Sequence, residues 1–130
     1  MRAGVAMARI LIVEDSPDNM KLFRTILSLK GHEVWGLTGG EGLLQTIEEH
    51  APDLVLMDIQ LPGRDGFALL QEIRRSPSAG VRVIALTAHA MKGDRERALD
   101  AGFDGYITKP IDIREFPEQV QRSLEGSGLE

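Results

Sequence analysis

Arg9-Ile10-Leu11-Ile12-Val13-Glu14-Asp15-Ser16-Pro17 is the stretch that decides the fold. Continuously apolar after Arg9, its first part reads as a strand buried on both faces, because a strand with one wet face would alternate. Ser16 then carries the side chain of a helix N-cap. Pro17 suits the first helical position, where its missing N–H is not needed. A strand, an acidic turn and a helix start therefore follow one another directly, as in the first half of a βα unit.

The same succession recurs along the chain. Met20, Phe23 and Leu27 form one stripe of the first helix, with Lys30 in its last turn and Gly31 ending it. A weaker strand lies near Glu33–Gly36. Thr38 and Glu41 are spaced as a capping box and open a helix through about His50 that turns Leu43, Leu44 and Ile47 inward, until Pro52 stops it. Leu54–Met57 is a central strand that ends on Asp58. Leu61–Gly66 reads as loop, Asp65 as a cap, and Phe67, Leu70 and Ile73 as the stripe of a third helix. After a turn at Ser76–Gly80 come a strand at Val81–Leu86, a helix over 90–101 closed by Gly102, and a strand at Gly105–Thr108 ending at Lys109. Asp112 and Glu115 imitate a capping box, but Pro117 inside that helix would remove a backbone bond. The last helix therefore has a kinked first turn, or begins near Phe116 with Pro117 at its first position. Five strand–helix units in strict alternation predict an α/β fold, a doubly wound five-stranded parallel sheet with helices on both faces.

Composition agrees. The 130 residues are 42% hydrophobic and 27% charged, globular values that suit one domain and exclude a disordered or fibrous chain. There is no cysteine, which rules out disulfides, thiolate catalysis and cysteine-held metals. Fifteen Lys and Arg against 20 Asp and Glu give a net charge of -5, which argues against direct binding to nucleic acid or anionic membrane. No signal peptide is legible, and no apolar run approaches the ~18 residues needed to span a bilayer. A cytoplasmic protein without membrane insertion is the expectation. Residues 1–8 read as an N-terminal extension with Met1 or Met7 as the start, 9–124 as the domain, and 125–130 as a frayed tail.

Doubly wound sheets bind ligands at the carboxyl ends of their strands, near the switch in strand order. The polar residues that follow the first, third, fourth and fifth strands are Glu14 and Asp15, Asp58, Thr87, and Lys109. Carboxylates gathered there repel by about 4 kcal/mol per pair at ~4 Å and an effective dielectric of 20. A proton or a cation must offset that. Hard oxygen donors without cysteine favour Mg²⁺, and Mn²⁺ could substitute. A carboxylate nucleophile, a divalent cation, the Lys109 ammonium and the Thr87 hydroxyl are the parts needed to place a phosphoryl group on an aspartate. Phosphoryl transfer is the reaction inferred.

Glu14-Asp15 after the first strand, Leu54-Val55-Leu56-Met57-Asp58 followed by Ile59-Gln60-Leu61-Pro62, Ala85-Leu86-Thr87-Ala88, and Tyr106-Ile107-Thr108-Lys109-Pro110 resemble the receiver domain of two-component response regulators. The resemblance covers about 9–124. Asn19-Met20-Lys21-Leu22-Phe23 and Ala90-Met91-Lys92-Gly93-Asp94 resemble single-domain regulators of the DivK type, and receiver modules of hybrid histidine kinases carry similar segments. The resemblance implies the flavodoxin-like strand order 2-1-3-4-5 and phosphorylation of Asp58 by a sensor histidine kinase or histidine phosphotransfer protein. It implies Mg²⁺ bound by Asp15, Asp58 and the Gln60 backbone carbonyl, with Glu14 acting through water. Thr87 and Lys109 would grip the phosphoryl oxygens, Thr87 and Tyr106 would move on switching, and the Lys109–Pro110 bond would be cis. The downstream partner would be a protein docking on the face of the fourth helix, fifth strand and fifth helix, with the chain a monomer or weak dimer. Too few residues follow Pro110 for an appended DNA-binding domain.

Other residues admit plainer readings. His32 and His50 sit at helix ends, where imidazole favourably meets the dipole. His89 and Gln60 flank the expected site and are candidates to tune the phosphoryl lifetime. Arg74-Arg75 and Arg95-Glu96-Arg97 read as solvated faces, and Trp35 and Met57 as packing residues. A rival reading, an aspartate-nucleophile phosphohydrolase, would place a second acid two residues after Asp58, where this chain has Gln60.

Overall fold

The computed structural model describes residues 7–61, 63, 65–88 and 92–125, with only the backbone at 92 and 94. Five strands alternate with five helices: β1 Arg9–Val13, α1 Pro17–Leu29, β2 Glu33–Leu37, α2 Leu43–His50, β3 Leu54–Asp58, α3 Gly66–Arg74, β4 Arg82–Thr87, α4 Lys92–Ala101, β5 Gly105–Thr108 and α5 Phe116–Glu125. All strand pairs are parallel, in the order β2-β1-β3-β4-β5. The chain thus forms the doubly wound, flavodoxin-like sheet.

Alternate strand residues feed two separate cores. Leu11, Val13, Val55, Met57, Val83 and Ala85 face one layer with helices α2, α3 and α4. Ile10, Ile12, Leu54, Leu56, Ile84 and Leu86 face the other with α1 and α5. Every residue of β3 is buried, which explains its unbroken apolar run. Ser16 caps α1 by accepting a bond from the Asn19 amide, with Pro17 in the first turn, as its sequence predicts.

Several local expectations need correction. The capping box of Thr38 and Glu41 does not form: α2 starts at Leu43 after Gly42, whose φ of 77° is left-handed, and no side chain caps it. Leu43 and Ile47, a full turn apart, are buried, but Leu44 sits a third of a turn round and is exposed. Lys30 lies just past the end of α1 as its C-cap. β4 and β2 each extend to one residue beyond the predicted end. In α3 the buried stripe includes Leu69, while Phe67 is only partly buried. Of the two alternatives for α5, the helix beginning at Phe116 is the one observed. Asp112 Oδ1 accepts the Arg114 and Glu115 amides at 2.8 and 3.2 Å, and Pro117 falls in the first turn.

His32 is buried and does not serve a helix dipole. Its Nδ1 accepts the Ala8 amide at 3.0 Å, so that nitrogen carries no proton, and burial pushes its pKa below the ordinary 6.5. His50 stacks on Trp35 with ring centroids 4.3 Å apart. Arg74 is no solvated charge either. Its guanidinium donates to the carbonyls of Ala79, Val81 and Gly102 and to Asp104, tying α3 to the segments that lead into β4 and β5.

Two outcomes follow from this packing. The neutral His32 contributes stability above the ordinary pKa, and that contribution is lost as the pH falls through the depressed folded value, because the unfolded chain takes up the proton more readily. Urea unfolding between about pH 7.5 and 5 should show stability falling in the native chain. His32→Gln should flatten that dependence, and an unchanged pH slope would refute the assignment. Gly66 begins α3 against β3, where an added Cβ would lie 2.6 Å from Ile59 Cα and 2.8 Å from the Asp58 carbonyl oxygen. Gly66→Ala should therefore cost about 1–3 kcal/mol in the same measurement.

Candidate functional site

The strand order places β1 and β3 side by side at the centre of the sheet, with β2 to one side and β4 and β5 to the other. Their carboxyl ends bring Glu14 and Asp15 next to Asp58. One carboxylate oxygen from each lies within 4.8 Å of the others. Glu14 and Asp58 are buried, at 1% and 2% exposure, while Asp15 is open to solvent. Among the described residues this is the one group of three acidic or histidine side chains close enough to hold a metal ion.

Lys109 enters from the end of β5 and reaches past β4. Its Nζ donates to Asp58 Oδ2 at 2.9 Å and to Glu14 Oε1 at 3.2 Å, joining residues 51 and 95 positions away. Its backbone amide donates to the Thr87 carbonyl at 2.7 Å, which fixes the stem beside β4. The Lys109–Pro110 peptide bond is cis. Burial alone would lower the Lys109 pKa, but the bond and charge of Asp58, with those of Glu14, outweigh it and hold the ammonium above its ordinary value. Burial pushes the Glu14 carboxyl up from the usual carboxylate range, and the Asp58 charge adds to this. The Ser16 amide and Lys109 counter only part of the effect.

Each buried carboxylate is also gripped by the backbone two residues on. The Ser16 amide donates to Glu14 Oε2 at 3.0 Å, and the Gln60 amide to Asp58 Oδ1 at 2.8 Å. Ser16 was legible only as a helix cap. The signal for its second role is an acidic residue at a strand end followed by a turn, where the amide at the second position swings back over the side chain. The carboxylates are thereby aimed before any ligand arrives.

Thr87 ends β4, buried, opposite Thr108 in the register. Gln60 is exposed beside Asp58. Tyr106 is half-buried on β5 against the α2–α4 core, and the Arg95 guanidinium lies over its ring at 5.5 Å. Arg97 sits over Phe67 at 4.5 Å, so both arginines of Arg95-Glu96-Arg97 contact aromatic rings rather than water alone. His89 and Pro62 lie outside the described residues. The strand ends thus bring together Glu14, Asp15, Asp58 and Lys109, with Thr87 on the intervening strand.

Comparison with known proteins gives this arrangement a family. The model of the response regulator receiver domain matches residues 10–121. The polar-differentiation response regulator DivK of Brucella suis is 42% identical over 121 residues, spanning 88% of this chain and 94% of that protein. Sensor protein GacS of Pseudomonas syringae is 39% identical over 125 residues, covering 93% of this chain but only 14% of that larger protein. Among solved structures, the receiver domain of the sensor histidine kinase PA1611 from Pseudomonas aeruginosa, which has a magnesium ion in its active-site cleft, superposes with a TM-score of 0.81. It is 36% identical and covers 95% of this chain and 99% of that one. A response regulator from Chloroflexus aurantiacus gives 0.83 at 29% identity, over 91% and 98% of the two chains. With its sheet order, its acidic strand ends and its matching sequence, the chain belongs to the response regulator receiver family of two-component systems.

Proposed function

We propose that Asp58 accepts a phosphoryl group from a phosphohistidine on a sensor histidine kinase or histidine phosphotransfer protein, and that the phosphorylated chain signals by protein contact. The observation that carries this reading is a buried aspartate at the central strand end, held by one amide and one ammonium and flanked by two further carboxylates. Such a group is pre-oriented and shielded from bulk water, as an in-line attack requires. An Asp58 oxygen forms the new O–P bond while the P–N bond breaks. The departing imidazole keeps the electron pair and takes up a proton.

The donor set fits Mg²⁺, since all the candidate ligands are hard oxygens and Asp15 leaves one side open to solvent. Asp15, Asp58 and the Gln60 carbonyl would hold the ion with Glu14 behind them, and when bound it would neutralise phosphoryl charge. Lys109, which donates to both Asp58 and Glu14, would turn its positive charge to the phosphoryl oxygens, and Thr87 would supply a hydroxyl. Gln60, exposed two residues after Asp58, stands where water must approach and would set the rate of hydrolysis. A residue there without an ionisable group suits a stored signal better than rapid phosphohydrolase turnover. Tyr106 and Thr87 would pass the change to the face of α4, β5 and α5, where the downstream protein would dock. The match to a short segment of GacS supports a second setting for the same chemistry, a receiver module serving a hybrid kinase.

Two measurements test the reading. With Mg²⁺ and a small phosphodonor, intact mass should rise by one phosphoryl group in the native chain and not in Asp58→Asn; an equal gain in both would overturn the assignment. Without a donor, Mg²⁺ at about ten times its dissociation constant should stabilise the fold by roughly 1.4 kcal/mol. Asp15→Asn should remove most of that gain, and a gain unchanged by this substitution would place the metal elsewhere.

A further inference from the structure

β2 lies at the lateral edge of the sheet, and among the described residues β1 is its only hydrogen-bonded strand neighbour. None of its five residues is fully buried, in contrast to β3. The Glu33 amide donates to the Ala8 carbonyl and the Glu14 amide to the Leu37 carbonyl, so in this parallel pair Glu33, Trp35 and Leu37 direct their backbone groups to β1. Val34 and Gly36 therefore turn theirs to the open edge. A row of outward amides and carbonyls is a template for another strand, and proteins commonly blunt it with Pro, Lys or a covering element. The strand Glu33–Leu37 holds neither Pro nor Lys.

What covers this edge is Arg24 of α1. Its Nη2 donates to the Val34 carbonyl at 3.5 Å, the outer limit of a hydrogen bond, and its Nη1 lies 3.4 Å from where a Cβ on Gly36 would be. The Met20 sulfur lies 2.7 Å from the same point, so the missing side chain at Gly36 lets both residues close over the strand. Arg24 and Lys21, about one helical turn apart, are exposed, and neither forms an ion pair among the described residues. With Pro17, Met20 and Thr38 they line a cleft of about 550 Å³. Glu14, which also borders it, is already claimed by Lys109 and the Ser16 amide, and Glu33 is paired with Arg9 at 3.5 Å. In a chain of net charge -5 this edge thus presents two cations without a counter-charge. On the other face of β2, Trp35 and Leu37 pack half-buried against the core under α2.

We propose that the open edge of β2 is a docking site for an extended segment of a partner protein in which apolar and acidic residues alternate. The backbone of that segment pairs with Val34 and Gly36 as a sixth strand. Its side chains then point alternately to the two faces of the sheet, the apolar ones beside Trp35 and Leu37 and the carboxylates beside Arg24 and Lys21. The acidic groups draw Arg24 off the Val34 carbonyl, where its bond is weakest, into a charge-assisted one. Arg24 thereby turns from a cover into a contact, and this sets the preference, since a basic strand leaves the guanidinium in place. None of these contacts involves Asp58.

Amide hydrogen exchange on the full chain, resolved by NMR, decides the matter with a hexapeptide of alternating valine and glutamate as the probe. At about ten times its dissociation constant the peptide should slow exchange of the Val34 and Gly36 amides roughly tenfold. Methylating the peptide's backbone nitrogens at the valines alone or at the glutamates alone should abolish that protection in one form and spare it in the other, because only alternate amides face β2. Protection by both forms would overturn strand addition. The same hexapeptide with lysine in place of glutamate should protect neither amide. Arg24→Gln should weaken the glutamate peptide about 2–5-fold, the worth of one exposed ion pair, and Arg24→Lys should restore part of the loss. Equal binding of the glutamate and lysine peptides, or an affinity untouched by Arg24→Gln, would overturn the preference for acidic segments. Val34 and Gly36 amides that still exchange freely in millimolar glutamate peptide would overturn the docking site itself.

Discussion

The ammonium of Lys109, lodged between Glu14 and Asp58, is the contact on which the carboxyl edge of the sheet depends. Two buried carboxylates with oxygens within 4.8 Å repel by roughly 3–4 kcal/mol at an effective dielectric of about 20. Their proximity is enforced by the pairing of β1 with β3, so the repulsion cannot relax without unpairing the central strands. A cation must come from elsewhere in the chain. Lys109, at the end of β5, supplies it, its long stem spanning the width of β4. The arrangement still leaves three acidic groups against one ammonium, and burial, with the Asp58 charge adding to it, raises the Glu14 pKa. The site is thus charged in the sense that favours a further cation.

Among the described residues the opposite edge gathers no such acidic cluster and is tied by hydrogen bonds. Arg74 ties three carbonyls and Asp104, Asp104 accepts the Val83 amide at 2.8 Å, and Asp53 accepts the Arg9 amide at 2.9 Å. These bonds satisfy backbone groups where strands begin, and among the described residues no buried side-chain polar atom is left without a partner. One end of the sheet is fixed by hydrogen bonds, and the other carries the excess charge.

The fold was legible because buried parallel strands must be continuously apolar and must alternate with helices, a pattern that survives without any knowledge of contacts. Glu14, Asp15, Asp58, Thr87 and Lys109 were legible as a group for a related reason: topology alone brings strand ends to one edge. What the sequence hid depended on tertiary neighbours. Arg74 and Arg75 are adjacent and chemically identical, yet only Arg74 points to where three carbonyls end. His32 resembles any histidine after a helix until the Ala8 amide is seen to point at it. The failed capping box shows the reverse, a correct spacing at Thr38 and Glu41 overruled by Gly39, Gly40 and Gly42 between and after them.

These contrasts decide where a charge placed on Asp58 could be felt. A ligand shifts a conformational balance only as far as it interacts differently with the two states. β3 is buried along its whole length and paired on both sides, so it has no second arrangement within reach. α1 and α5 are pinned to each other by Phe23 and Phe116, whose rings lie 5.3 Å apart within the second core. Among its described side chains α4 buries only Ala98, and the helix follows β4 shortly after Thr87. Local stability falls where buried apolar contact is least. Of the helices, α4 therefore holds the least buried apolar contact among the described residues, and it follows the strand that ends on Thr87.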